Sequence, residues 1–178
     1  MPEPLWKTRE RITARPLKGR RIPSSGRAQR DIETPDYPIC VEFKHRETVP
    51  KYLVDVLEQA EILLAQEEGS LLIPLARIRA RDWGPRQELA LMKFKYLKIL
   101  LDIGNEISKI GFVEVKREYH AIGGWLTHAL EQAEVDAEAM EAPLAIIHQK
   151  GWQYPRDLVV MKFKYFKYLL ERLNDKAE

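Results

Sequence analysis

Three observations predict an α/β protein with a mixed central β-sheet flanked by helices. Short β-branched runs alternate along the chain with runs whose apolar residues keep helical spacing. The pattern strand, helix, strand, strand, helix is written twice. No apolar run approaches the roughly 18 residues of a membrane span, so the apolar positions are expected to form a buried core rather than cross a bilayer.

The duplication is legible in three blocks that recur in the same order. "VEFK" (Val41–Lys44) answers "VEVK" (Val113–Lys116), and "LEQAE" occurs at Leu57–Glu61 and again at Leu130–Glu134. The third block is longest. A shift of 69 residues places Pro74-Leu75-Ala76 on Pro143-Leu144-Ala145, Trp83 on Trp152, and Met92–Tyr96 (MKFKY) on Met161–Tyr165. Three ordered matches define an internal repeat. The expected organisation is residues 1–110 as one unit with a basic N-terminal arm, and 111–178 as a second copy, in tandem.

The elements follow in order. "ICVEFK" and "GFVEVK" are β-branched runs with one apolar face. In "PKYLVDVLEQAEILLAQ" the residues Leu53, Val56, Leu57, Ala60, Leu63 and Leu64 recur at helical spacing. "LLIPLARIRA" and "PLAIIHQ" are strand-like, and "ELALMKF" and "DLVVMKF" are short enough for buried strands. Helical spacing returns at Phe94, Leu97, Leu101 and Ile107, and in the second copy at Phe166 and Leu170. Turn-forming residues at Asp82–Pro85 and Gly151-Trp152 join adjacent strands. The repeated MKFKY is therefore expected to be a core strand running into a helix, with phosphate-gripping lysines as the competing reading.

Charge is unevenly spread. Residues 1–30 hold nine Lys and Arg against Glu3 and Glu10, a balance of +7, which leaves −5 for the rest of a chain whose net charge is +2. A basic arm on a mildly acidic body fits a polyanion such as nucleic acid, or simply a solvated tail. A lone Cys40 excludes a disulfide framework and a CxxC metal pair. With no signal-peptide-like N-terminus, the expected location is cytoplasmic. His45, His120, His128 and His148 keep no zinc-ligand spacing, and Gly123-Gly124 lacks the Lys-Ser/Thr of a phosphate loop. Cys40 reads as a small buried hydrophobe, His148 as a satisfied strand-end residue, and Trp83 and Trp152 as turn packing.

One constellation carries chemistry. Glu42 and Lys44 are two apart on a strand and share a face. Thr34–Pro38 reads as a turn that would fold Asp31 back beside Glu42. Two carboxylates can hold a hard divalent cation that keeps several waters, and an adjacent ammonium can steady the negative charge that grows during phosphodiester hydrolysis.

Asp31 followed by Glu42-Phe43-Lys44 resembles the signature of the PD-(D/E)XK nuclease superfamily, and Arg21-Ile22-Pro23-Ser24-Ser25-Gly26-Arg27 is similar to the Ser-Gly stretch upstream of the aspartate in Holliday junction resolvase-like endonucleases. The resemblance covers roughly residues 7–105 and part of 113–174. It departs from the strict pattern because Arg30, not proline, precedes Asp31; Asp36, in Pro35-Asp36, is the alternate ligand. It implies a restriction-endonuclease-like fold and a structure-selective, Mg²⁺-dependent DNA endonuclease, with Mn²⁺ as a substitute. Asp31, Glu42 and Glu10 would bind the metal and Lys44 would act on the attacking water. Arg20, Arg21, Ser25, Arg27 and Arg30 would hold the backbone of branched DNA. A glutamine on the helix after Glu-x-Lys, here Gln59 with Gln132 as its repeat mate, reads as surface or packing. Members are typically homodimers, so a homodimer or an intrachain pseudo-dimer is implied. Glu114-Val115-Lys116 lacks the upstream motif and reads as a degenerate copy. The alternative is a non-catalytic nucleic-acid-binding or assembly protein on the same frame.

Overall fold

A computed structural model describes residues 4–23, 30–67, 71–84 and 87–175. These form an α/β protein with one open, mixed, eight-stranded sheet flanked by five α-helices. An N-terminal helix α1 (Leu5–Ala14) leads into the short strands β1 (Arg20–Arg21) and β2 (Ile32–Glu33). The first repeat unit is then β3 (Ile39–Arg46), α2 (Lys51–Leu64), β4 (Leu72–Ala80), β5 (Leu89–Lys93) and α3 (Phe94–Ile103). The second is β6 (Gly111–Tyr119), α4 (Gly124–Asp136), β7 (Ala142–Gln149), β8 (Leu158–Lys162) and α5 (Phe163–Asp175). No helix is long and apolar enough to cross a membrane among the described residues.

The strand order is β1-β2-β3-β7-β8-β5-β4-β6. The units are not side by side, because each sends its first strand into the other half. β3 lies parallel to β7, and β6 lies parallel to β4. The helices cross with their chains: α2 packs on β4 and β6, and α4 packs on β7 and β3. A pseudo-twofold axis runs through the middle of the sheet, where β5 and β8 are antiparallel and Leu91 pairs with Val160, its own repeat mate. The expected boundary near residue 110 therefore falls between elements that share one sheet and two continuous cores.

The cores occupy opposite faces. On one, Leu53, Val56 and Leu57 of α2 and Leu126 and Leu130 of α4 cover Ala76, Ile78, Leu91, Ala145, Ile147 and Val160. On the other, Leu97, Leu100 and Leu101 of α3 and Phe166, Leu169 and Leu173 of α5 cover Leu75, Met92, Leu144, Ile146, Val159 and Met161. Each of the larger side chains among these, Val, Leu, Ile, Phe or Met, contributes roughly 1.5–3 kcal/mol by leaving water. The central strands are buried on both faces, which is why they read as continuous apolar runs rather than alternating ones. The helical stripe expected in α2 holds through Ala60, but Leu63 is exposed because the helix overruns the sheet beneath it.

The duplicated MKFKY is architectural. β5 ends at Lys93 and α3 begins at Phe94 with no loop between them, and β8 and α5 meet in the same way at Lys162 and Phe163. Backbone bonds tie the two junctions across the sheet: Phe94 N donates to Asp157 O at 2.8 Å, and Phe163 N donates to Glu88 O at 2.7 Å. The lysines hold the other repeated block. Lys93 and Lys95 pair with Glu61, and Lys162 and Lys164 pair with Glu134. Both acids are the last residue of LEQAE, so the two conserved phrases of the repeat are partners that clamp a helix to a strand end.

The N-terminal segment breaks the symmetry. Arg15-Pro16-Leu17 form a 3-10 turn after α1, and Lys18 takes a left-handed conformation (φ 51°). Gly19 then passes so close to β2 that a Cβ there would lie 2.2 Å from Glu33 O, so this approach requires glycine. β2 caps the outer edge of β3 in antiparallel fashion.

Candidate functional site

Asp31 is fastened to β3 by its backbone and its side chain. Its N–H donates to Val41 O at 3.2 Å, its carbonyl accepts from Ile22 N at 2.9 Å, and its Oδ2 accepts from Phe43 N at 2.8 Å. The carboxylate thereby satisfies an edge N–H of β3 and comes to rest beside Glu42. Glu42 is buried, with 6% of its surface exposed, on the face of β3 covered by α4. Lys44, two residues on and on the same face, places Nζ 2.5 Å from Glu42 Oε1. The ammonium also donates to Gln132 Oε1 of α4 at 2.8 Å. Glu10 of α1 is buried and held in an ion pair by Arg21 of β1.

The electrostatics share one sign. Burial pushes the Glu42 carboxyl up to about 7; the Lys44 hydrogen bond pulls against this, and the neighbouring Asp31 charge adds to it. Burial also raises Asp31, opposed by the Phe43 N–H and the Lys44 charge. Glu10 is raised by burial, opposed by Arg21, and pushed up further by Asp31. Three carboxyls thus hold their protons more tightly than in water, chiefly because burial disfavours their charged forms. Asp31 and Glu42 suit a hard cation that takes one or two carboxylates and keeps its waters. Glu10 is committed to Arg21, and among the described residues no group of three or more His, Cys, Asp or Glu forms a complete metal cage.

The other sequence candidates are placed as follows. Asp36 is exposed in the turn before β3, whereas Asp31 is the carboxylate tied beside Glu42. Arg20 is exposed and paired with Glu33. Arg21 and Arg30 are turned inward, onto Glu10 and Glu141 respectively. Ser25 and Arg27 lie outside the described residues. The exposed basic surface at this end also includes Arg11, Arg15 and Lys18, and Lys18 and Arg20 line one shallow groove with Glu33 and Pro35.

Two features escaped the sequence. Gln132 meets Lys44, whereas Gln59, on the helix that follows Glu42 and Lys44 in the chain, lies at the opposite end of the sheet. Strand exchange explains it: the helix beside β3 is α4, which belongs to the second repeat. The degenerate partner site is also shifted. Val41 pairs with Leu144 and Glu114 pairs with Leu75. Leu75 and Leu144 are repeat mates, so Val115 stands where Glu42 does, and Arg117 where Lys44 does. Gln59 then occupies the place of Gln132, and Arg117 donates to its Oε1 at 2.8 Å, the same length as the Lys44–Gln132 bond. Glu114 points to the opposite face and pairs with Arg77.

His148 is buried at the end of β7, its Nδ1 2.7 Å from Asp157 Oδ1, and its ring stacks on His45 of β3 with centroids 5.5 Å apart. Cys40 is buried and its thiol is pushed up to about 12 by burial. Trp83 and Trp152 pack against the α2/α4 core. No family model matches the chain, and no curated protein or solved structure matches it.

Proposed function

We propose that the protein is a metal-dependent nuclease of the PD-(D/E)XK type, on a restriction-endonuclease-like frame, that hydrolyses phosphodiester bonds in DNA. The supporting observation is the convergence of Asp31, Glu42 and Lys44 at the β2–β3 edge, closed by Gln132. Asp31 and Glu42 would hold a Mg²⁺ or Mn²⁺ ion. When bound, such an ion polarises a phosphoryl oxygen and lowers the pKa of its water. Lys44 holds its ammonium where negative charge would build on the scissile phosphate, and Gln132 fixes its direction. The exposed cations Arg11, Arg15, Lys18 and Arg20 offer contacts to a phosphate backbone, which position a substrate without reading its sequence. That favours structure-selective cutting, as on branched DNA, over site-specific cutting.

One observation favours a second reading, a nucleic-acid-binding protein that does not cut. Arg21 holds Glu10, so the third carboxylate of the site is already neutralised within the chain. A cleavage assay on four-way junction, flap and linear DNA, with Mg²⁺ and with Mn²⁺, separates the two. The nuclease reading expects metal-dependent cutting that falls at least about 100-fold in Glu42→Ala while DNA binding persists. Binding without cutting under both metals would establish the second reading instead.

A further inference from the structure

The pseudo-twofold axis gives every strand of one repeat a counterpart in the other, and it exposes one unmet need. β3 and β6 are equivalent. The outer edge of β3 is covered by β2, and the Asp31 carboxylate takes the Phe43 N–H. β6 ends the sheet, with no described strand beyond it. It is nine residues long and pairs with β4 without a bulge, a length that proteins seldom leave at an open edge.

We propose that β6 pairs with β6 of a second copy of this chain, antiparallel and centred on Val115. The register follows from two independent facts. First, Gly111 N donates to Leu71 O, and Arg81 N donates to Tyr119 O. In a parallel ladder these bonds turn the N–H and C=O of the odd-numbered residues of β6 toward β4. The outward-facing residues are therefore Phe112, Glu114, Lys116 and Glu118. A hydrogen-bonded antiparallel pair must match these with one another. Second, only three central registers do so. One opposes Glu114 to Glu114 of the copy, and another opposes Lys116 to Lys116 and Glu114 to Glu118. The third, about Val115, sets Glu114 opposite Lys116 twice and leaves no like charges face to face. It uses all four outward residues of each chain.

The helix face beside this edge agrees. Ile62 and Leu63 of α2 are 59% and 42% exposed, and they line a groove with Val115, Lys116 and Arg117. At the capped end of the sheet, the position equivalent to Leu63 is Asp136, whose carbonyl accepts from Arg30. A twofold axis normal to the sheet would bring the two α2 ends toward each other over the joint and cover these residues. It would also keep the Asp31–Glu42–Lys44 sites of both copies on the same side of the joined sheet.

Sedimentation velocity across a micromolar concentration series tests the pairing. The wild-type chain is expected to be a dimer. Glu114→Lys and Lys116→Glu each place like charges opposite one another twice, and each is expected to weaken the dimer by about tenfold or more. The double reversal, Glu114→Lys with Lys116→Glu, restores opposite pairs and is expected to restore the dimer. Lys116→Glu leaves the Glu114–Arg77 contact intact, and circular dichroism verifies that each variant is folded. A monomeric wild-type chain at every concentration, or a dimer indifferent to both single reversals, or a double variant that stays monomeric, would each overturn the proposal.

Discussion

Glu42 is the side chain on which burial and charge bear most heavily, and its behaviour can be measured without substrate. In an unfolded chain it ionises near its ordinary value of 4.5, and in the folded protein near 7. Between those values the folded state binds more protons than the unfolded one, so stability falls as pH rises from about 4.5 to about 7 and levels off above. Asp31 shifts in the same direction and adds to the slope. A shift of this size, in which the opposing pull of Lys44 is already included, sets a ceiling of about 3 kcal/mol. Glu42→Gln removes the Glu42 share. Urea unfolding in metal-free buffer should find the variant more stable than wild type at pH 8, with the difference shrinking toward pH 5. A difference that does not change with pH would show that Glu42 is ionised without cost. Added Mg²⁺ should flatten the wild-type slope and leave that of Glu42→Gln nearly unchanged, since the cation favours the deprotonated carboxylate only where the carboxylate exists.

The β3 strand and its exchanged neighbour α4 make the next prediction. Gln132 accepts a hydrogen bond from the Lys44 ammonium, so on the proposed nuclease reading Gln132→Ala should lower turnover by roughly 10-fold and leave DNA affinity nearly unchanged, the pattern of a group that acts on the transition state. Gln59→Ala, which removes the pseudo-symmetric contact to Arg117, should leave turnover as it is. Equal losses in both variants, or a loss confined to affinity, would assign Gln132 to packing. The difference between these two glutamines also marks what could and could not be read from the chain. The strands, the helices and the loop-free junction at Lys93-Phe94 were legible because apolar periodicity and the repeated phrases are local. Asp31 beside Glu42 was legible because a five-residue turn separates their strands. Which glutamine serves Lys44 was not, since that depends on which half each strand joins, and both halves offer similar apolar faces. The partner site was misaligned by one residue for a related reason. "VEFK" and "VEVK" agree at three letters of four, but the ladder pairings to Leu144 and Leu75 set the register, and a slip of one residue exchanges the faces of a strand. The inward turn of Arg21 and Arg30 was equally hidden, because Glu10 and Glu141 reach them only through the folded chain.

Strand exchange between the repeats governs how the molecule as a whole is stabilised. If each repeat were a self-contained unit, cutting the chain between them would give two folded halves. In the observed topology, residues 4–110 keep β3 without its parallel partner β7, and β4 without β6. They also lose the β5–β8 ladder at the pseudo-twofold axis, and α2 loses β6 from the strand surface it covers. The second piece is in the same position: it keeps the β7–β8 ladder, but β6 loses β4, its one described neighbour, and β7 loses β3. Each core, on either face, mixes residues of both pieces, so neither fragment can bury enough apolar surface to offset its chain entropy. Fragments 1–110 and 111–178, prepared separately, should show no cooperative unfolding transition. Mixed in equal amounts, they should recover the circular dichroism of the intact chain, since every inter-strand bond except the covalent link is available to the pair. On the proposed nuclease reading the mixture should also recover DNA cleavage, because the first fragment carries Asp31, Glu42 and Lys44 and the second carries Gln132. A cooperative melt by either fragment alone would mean that the exchanged strands can fold back within their own repeat, and that the one continuous sheet is a choice between two arrangements of nearly equal stability. The loop from β3 to α2 argues against this. Only residues 47–50 separate the two elements, and Val49 within that span is itself buried in the α2/α4 core, its N–H donating to Gln149 Oε1 at the end of β7. The crossover is thus pinned by a residue of the second repeat, which ties the exchange to the presence of both halves.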